Sequence, residues 1–467
     1  MSRSAAQFKT QANEKARDLR HRQVIRTALH GYEIVRDKCK DSFQSWESAR
    51  QAAAEIKWEA VNHLDTHLEA LVAKLEARGT KVHWASTGAQ ACEIIAQILR
   101  DKKAHLMIKS KSMTSEEIHL NDALEKAGFT VVESDLGEFI MQLRHEPPYH
   151  IVFPSMNLTR GEIKDLFQRE LGDAPSDSPE ELTMVARRFL RKKYIAADVG
   201  LTGANFAIAE TGMISVTENE GNSRLTSALP KTMITLIGIE KVLPRMADLA
   251  LFLPMLATAG AGQMMTGYNT MYSGPRQPGE ADGPEEWHVV LLDNRRTELL
   301  ADAEQRDSLH CIRCGSCLNV CPVFRNIGGH SYGTTYPGPI GAVITPHLLG
   351  LKEWKHLCNA SSLCEACSEA CPVKIDLHHH LLQNRRNAAL ALPAHCEQLA
   401  YKIFGIIANE PKFWWLAKKI GWLTQPLHRL VNGSVLDPVR PFWTKTRDLA
   451  PMPRESFKDW WKKRKSN

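Results

Sequence analysis

The chain has 467 residues, enough for two or three domains of ordinary size. Hydrophobic residues make up 43% and charged residues 24%, the balance of a globular protein, neither disordered nor fibrous. The net charge of +6 is mild, and no aromatic-basic interleaving occurs ahead of the C-terminal tail, which argues against a dedicated nucleic-acid binder.

The first thirty residues are polar and charged, without the apolar core of a signal peptide. From Leu249 to Pro275 the chain carries no charge, but Pro254, Gly260, Gly262, Gln263, Asn269 and Gly274 interrupt it. A membrane-spanning helix needs about 20 predominantly apolar residues, so a buried segment followed by a loop is expected here. The cytoplasm is the expected compartment. In it, eleven cysteines serve better as thiolate ligands and buried thiols than as disulfides.

In residues 1–78, apolar positions such as Val24, Ile25, Leu29 and Tyr32, or Leu64, Leu68, Leu71, Val72 and Leu75, recur at helical steps. Two or three helices are predicted. Residues 79–300 change pattern: Lys81–Ala85, His105–Lys109, Thr130–Asp135, Tyr149–Pro154, Thr232–Gly238 and Trp287–Asp293 read as strands. Helices such as Ala89–Leu99 fall between them, which predicts an α/β domain with a parallel sheet. Leu158 to Lys193 reads as helix broken near Gly172. Gly200, Gly203 and Gly212 bracket an apolar run whose spacing fits neither a Walker A loop nor a dinucleotide fingerprint, so turns between strands are favoured over a phosphate cradle. Thr297 to Ser308 reads as a helical linker into residues 301–390.

There the run Cys311-x2-Cys314-x2-Cys317-x3-Cys321-Pro322 appears, followed by the shorter Cys364-x2-Cys367-x3-Cys371-Pro372. Three closely spaced thiolates from one loop suit three corners of a cubane, and the fourth cysteine of such a run ligates the other cluster. Structural zinc favours two separated C-x2-C pairs over four cysteines in eleven residues ending in proline, so two 4Fe-4S clusters are expected. Cys311, Cys314, Cys317 and Cys371 would hold one. Cys321, Cys364 and Cys367 would hold the other, with Cys358 the favoured fourth ligand because Ser361 stands where a full run would place cysteine. An oxygen ligand from Ser361 and an incomplete three-iron cluster are the alternatives. Arg313 and Lys374 flank the runs and are placed to offset cluster charge. Cys39, Cys92 and Cys396 read as small buried residues, and His378, His379 and His380 as an exposed turn. The glycine- and proline-rich stretch from Phe324 to Pro346 separates the runs, with a helix expected from His347 to Leu357.

Residues 391–467 read as helical and carry Trp414, Trp415, Trp422, Trp443, Trp460 and Trp461. The last seventeen residues hold six basic and two acidic side chains. Aromatic anchors beside basic residues suit a partner-docking surface or a membrane interface, against a helical subdomain that packs its tryptophans inside and ends in a frayed basic tail; for the tail, docking to a partner subunit is favoured.

The cysteine runs, with Lys109–Ile118, Glu133–Ile140, Gly203–Gly212, Gly328–Gly333 and Tyr336–Ala342, resemble the iron-sulfur B component of the bacterial lactate-utilisation system. The resemblance covers most of residues 60 to 390. It implies a lactate-utilisation (LUD) domain similar in fold to sugar-phosphate isomerases and CoA transferases, followed by an α-helical two-cluster ferredoxin domain. It also implies an electron-carrying role in a three-part complex that oxidises L-lactate to pyruvate, with the other subunits as partners. Fold analogy transfers no chemistry, so Glu210, Asp198 and Lys111 are the polar residues to test for a role in the sheet domain. The rival readings are an enzyme acting on a phosphorylated or CoA-linked acid, and a subunit of a glycolate-oxidase or heterodisulfide-type system.

Overall fold

Four helices open the chain: Arg3–Arg17, Leu19–Lys40, Trp46–Asn62 and Leu64–Glu76. This is more than the two or three expected. Apolar periodicity runs through breaks that the caps create: the side chains of Ser2, Asp18 and Ser45 accept from the amides of Ala5, His21 and Ser48, respectively. The computed structural model describes residues 2–173, 176–392, 395–431, 434, 437, 453 and 455–465. Two compact units emerge, Met1–Ala388 and Ala389–Asn467.

Among its described residues the first unit contains ten strands: β1 Lys81–Ala85, β2 Leu106–Lys109, β3 Thr130–Glu133, β4 Val199–Thr202, β5 Phe206–Ile208, β6 Met213–Glu218, β7 Thr232–Gly238, β8 Val242–Leu243, β9 Tyr268–Tyr272 and β10 Glu286–Leu292. Six form a parallel sheet in the order β1-β10-β7-β4-β2-β3. Every residue of β7 is buried, as a strand covered on both faces requires, and its apolar run pairs Met233 with Trp287 and Ile234 with Leu201. A second, four-stranded sheet has the order β8-β5-β6-β9. The α/β class with a parallel sheet, a helical N-terminus and a helical C-terminus is as expected.

Three stretches differ from expectation. Tyr149–Pro154 is no strand but a loop closed by the Tyr149 N–H donating to the Pro154 carbonyl at 2.8 Å. Tyr149 and Ile151 are buried in the core shared with the cysteine-bearing region: Tyr149 packs on Phe324, and His150 Nε2 lies 2.9 Å from Asn319 Oδ1. Gly329 permits this approach, since a Cβ there would lie 1.7 Å from the Tyr149 carbonyl oxygen. Secondly, β9 occupies part of the expected loop after Leu249–Ala261, its alternating Tyr-Asn-Thr-Met-Tyr pairing antiparallel with β6. Thirdly, the helix between the cysteine runs begins at Gly338, not His347, and spans Gly338–Leu349. Pro339 lies in its first turn, where a missing N–H costs nothing.

The largest core joins the N-terminal helices to the cysteine region, with Ile25, Leu29, Phe252, Met255, Leu318, Phe324, Ile340 and Val343 in one cluster. The hydrophobic effect thus fixes the cysteine loops directly on the first helices and on Leu249–Ala261. In the second unit, helices His395–Asn409, Pro411–Val431 and Phe457–Lys465 carry Trp414, Trp415, Trp422, Trp460 and Trp461 with 44–54% of their surface exposed. Trp443 and the side chain of Cys396 lie outside the described residues.

Candidate iron-sulfur centre

The two cysteine loops have one backbone design. Arg313 (φ 59°) and Gly315 (φ 75°) flank Cys314; Leu363 (φ 55°) and Glu365 (φ 69°) flank Cys364. A short helix follows each, Ser316–Val320 and Ala366–Glu369, and carries the next cysteine. Left-handed residues between right-handed ones turn successive N–H groups to one side, a concavity suited to anions. In the first loop the Arg313 N–H donates to Cys311 Sγ at 3.4 Å, and in the second the Leu363 N–H donates to Ser361 Oγ at 3.0 Å. The Ile375 N–H donates to Cys371 Sγ at 3.4 Å.

Folding brings together cysteines far apart in the chain. Cys314 lies within electrostatic reach of Cys311 and Cys371, and Cys317 of Cys311, Cys314 and Cys367. Cys321 lies in reach of Cys364, and Cys367 of Cys321 and Cys364. Cys314, Cys317, Cys321, Cys367 and Cys371 are buried, Cys311 is half-buried and Cys364 is exposed. Burial first, then the neighbouring sulfurs, push Cys367 up to about 11, and burial pushes Cys371 up to about 12. Buried thiols crowded in this way become thiolates at neutral pH only when a cation takes up their charge. Soft donors in two groups, with amides aimed at sulfur, fit iron-sulfur clusters.

Cys358 is oriented differently. Its Sγ donates to the Lys355 carbonyl at 2.8 Å, inside the 3-10 turn Lys355–Asn359. Its own carbonyl accepts from Arg385 Nε and Nη2 at 3.1 and 2.9 Å.

Buried cations surround Cys311. Arg313, Lys57 and Lys241 all lie within its electrostatic reach. Burial pulls Lys57 down to about 7 and, together with Arg313, Lys241 down to about 8. Lys57 Nζ donates to the carbonyls of Glu240 and Val242 at 2.7 and 3.3 Å. Burial would raise the Glu240 carboxyl, but Arg296, Arg313 and Lys241 hold it at about 2. Sequence reasoning singled out Arg313 but not Lys57, Lys241 or Arg296, since contacts this distant in sequence leave no local signal. Lys374 is a correction: its Nζ donates to Glu47 at 2.8 Å and Gln51 at 2.9 Å, so its charge is met by the third helix. The histidine triplet is also no exposed turn. It lies in the first turns of helix Leu377–Ala391, where His380 is buried with Nε2 2.8 Å from Asp307 Oδ1. Cys39 and Cys92 are half-buried, and each Sγ donates to a backbone carbonyl, of Gly262 and Ile118 respectively.

A cavity of about 370 Å³ separates the sheet from the first cysteine loop, with Lys111, Asn205, Lys241, Arg313, Cys314 and Tyr336 in its wall. Of the three polar residues to test, only Lys111 reaches it. Asp198 Oδ2 accepts from the amides of His105 and Leu106, and Glu210 Oε2 from that of Met246; both fix loops.

The LUD domain family matches residues 68–292, and the 4Fe-4S dicluster domain family matches residues 307–375. Lactate utilization protein B of Shouchella clausii (strain KSM-K16) is 43% identical over 466 residues, covering 99% of this chain and 98% of that one. This chain belongs to the lactate utilization protein B family. The family member of Bacillus velezensis (strain DSM 23117 / BGSC 10A6 / LMG 26770 / FZB42) is 42% identical over 471 residues, covering 99% of this chain and 98% of its own. An uncharacterized electron transport protein, YkgF, of Escherichia coli (strain K12) is 40% identical over 467 residues, 98% of this chain and 97% of that one. In this chain a 4Fe-4S dicluster domain, a module for two 4Fe-4S clusters, follows the LUD domain. Among the described residues no helix is long and apolar enough to cross a membrane.

Proposed function

We propose that this iron-sulfur protein carries electrons within a multi-component complex that oxidises L-lactate to pyruvate, with Cys311, Cys314, Cys317 and Cys371 holding one cluster and Cys321, Cys364 and Cys367 three corners of the other. The observation that supports it best is the graded burial of two adjoining cysteine groups, one enclosed and one reaching solvent at Cys364. A relay needs one shielded centre and one that a partner can approach. Bound clusters supply one-electron steps, so a pair matches the two electrons released, with two protons, when a 2-hydroxy acid becomes a 2-oxo acid.

The chain's own residues fix and tune the centres. Amides of the left-handed turns donate to sulfur, and Lys57, Lys241 and Arg313 stabilise negative charge near Cys311, which raises the first centre's potential. Exposed tryptophans on Pro411–Val431 support docking of another subunit there.

The test is visible-light bleaching of the anaerobic protein with L-lactate. Bleaching should need the partner subunits and fail with glycolate. Turnover of a phosphorylated or CoA-linked acid by the isolated chain would instead make the sheet domain an enzyme in its own right.

A further inference from the structure

We propose that Ser361 Oγ, and not Cys358 Sγ, is the fourth ligand of the second cluster; this rests on the two-cluster reading of residues 307–375. The two loops correspond residue by residue: Cys311 with Ser361, Cys314 with Cys364, Cys317 with Cys367 and Cys321 with Cys371. Non-glycine residues at positive φ are uncommon, yet Arg313 and Leu363 match, and Glu365 takes the place of Gly315. The amide two residues on donates to the side chain in both loops, to sulfur at Cys311 and to oxygen at Ser361. Ser361 thus presents its oxygen where the first loop presents a ligand sulfur. Cys358 is three residues outside this frame, with its thiol donated to Lys355 and its carbonyl clamped by Arg385.

Coordination replaces the hydroxyl O–H bond by an O–Fe bond and releases the proton to solvent, with no change of oxidation state. A hard alkoxide donor makes that iron distinct from the other three.

The test is anaerobic reconstitution of the full chain with iron counting and EPR. Cys358→Ala removes the thiol without offering an oxygen in its place; it should retain about eight irons and the wild-type spectrum. Ser361→Ala should fall to about seven irons and show a three-iron signal when oxidised, and Ser361→Cys should restore eight with one cluster's spectrum altered. Iron loss in Cys358→Ala, or wild-type behaviour of Ser361→Ala, overturns the assignment. A wild-type chain holding only about four irons would contradict the two-cluster reading itself.

The cavity beside Cys314 carries a separate inference from different observations: the geometry points to a binding site for a small carboxylate or phosphate anion. Its acidic residues are already satisfied, Glu218 by the amides of Ser223 and Arg224, Glu220 by that of Leu136, and Asp135 by that of Glu138. Its cations are not. Arg313 Nη1 is buried without a hydrogen-bond partner, and Lys241 is buried with no hydrogen bond or ion pair among the described residues. Lys111 Nζ meets only the neutral carbonyl of Val152, at 2.8 Å. Arg313 Nη2 already faces Glu240 at 3.4 Å, but its Nη1 and the Lys241 ammonium are buried without a hydrogen-bond partner among the described residues, which is costly; a bound anion would satisfy both and reach the half-buried Lys111.

Isothermal titration of the anaerobic full chain with pyruvate, L-lactate and inorganic phosphate in turn tests this and separates carboxylate from phosphate. At least one anion should bind once per chain, at least tenfold more weakly after Lys241→Met or Lys111→Met and unchanged after Lys374→Met. No saturable binding of any of the three, or binding that neither cavity variant weakens, overturns it.

Discussion

Arg296 grips both carboxylate oxygens of Glu117, at 2.9 and 2.8 Å, with both side chains almost fully enclosed. Its Nε also donates to Glu240, which faces Arg313, while the Tyr336 hydroxyl donates to Glu117 at 2.7 Å. One buried ionic network therefore ties the sheet domain to the cysteine-bearing region.

Removing its central cation strips the buried Glu117 carboxylate of its counter-ion, leaving it the neutral donors Asn294 and Tyr336, and leaves Glu240 facing Arg313 at 3.4 Å. Arg296→Met should destabilise the chain by about 3–5 kcal/mol in chemical denaturation. Arg296→Lys should not rescue it fully, since a point charge cannot make the two-pronged contact.

A second buried network lies within the blocks that carry the family resemblance. Lys109 pairs with Glu116 and Glu133 at 2.7 Å each, and Glu138 lies beside them with both oxygens unpartnered. Burial and then Glu133 push the Glu138 carboxyl well above its ordinary range, favouring its neutral form. Glu138→Gln should cost about 1 kcal/mol or less. Lys109→Met, which strands two charges, should cost about 3–5 kcal/mol by the same denaturation measurement.

His380 makes stability pH-dependent near neutrality. Burial lowers it, but Asp307 overcomes burial and raises its pKa above the usual histidine value. A raised folded pKa contributes stability that is complete below about pH 6.5 and lost as pH rises through the folded value. Wild type should therefore lose stability relative to His380→Gln as pH rises above about 6.5 in urea titrations.

Much of this was legible in the chain itself. Strands β1 and β7 follow from uninterrupted or alternating apolar runs, and the cysteine spacings announce the clusters. Tyr149–Pro154 misled because apolar residues buried against another region look like those of a strand. Gly338–Leu349 hid behind glycines and prolines that suit loops, yet Gly341 is required there, since a Cβ would lie 1.5 Å from the Tyr336 carbonyl oxygen. Of the cations around Cys311, Arg313 is its neighbour in the run and was legible, whereas Lys57 and Lys241 come from distant segments and could not be read locally.

All eight cysteines of the cluster region lie in the unit Met1–Ala388. Truncation after Leu392 should therefore leave the iron content of the reconstituted protein unchanged.

The central claim is that this chain holds two clusters joined as a relay. Iron counting and EPR on the anaerobically reconstituted, dithionite-reduced full chain test it most directly. About eight irons per chain, with a spectrum broadened by coupling between two reduced centres, is the expected result. About four irons and a single uncoupled signal would contradict it.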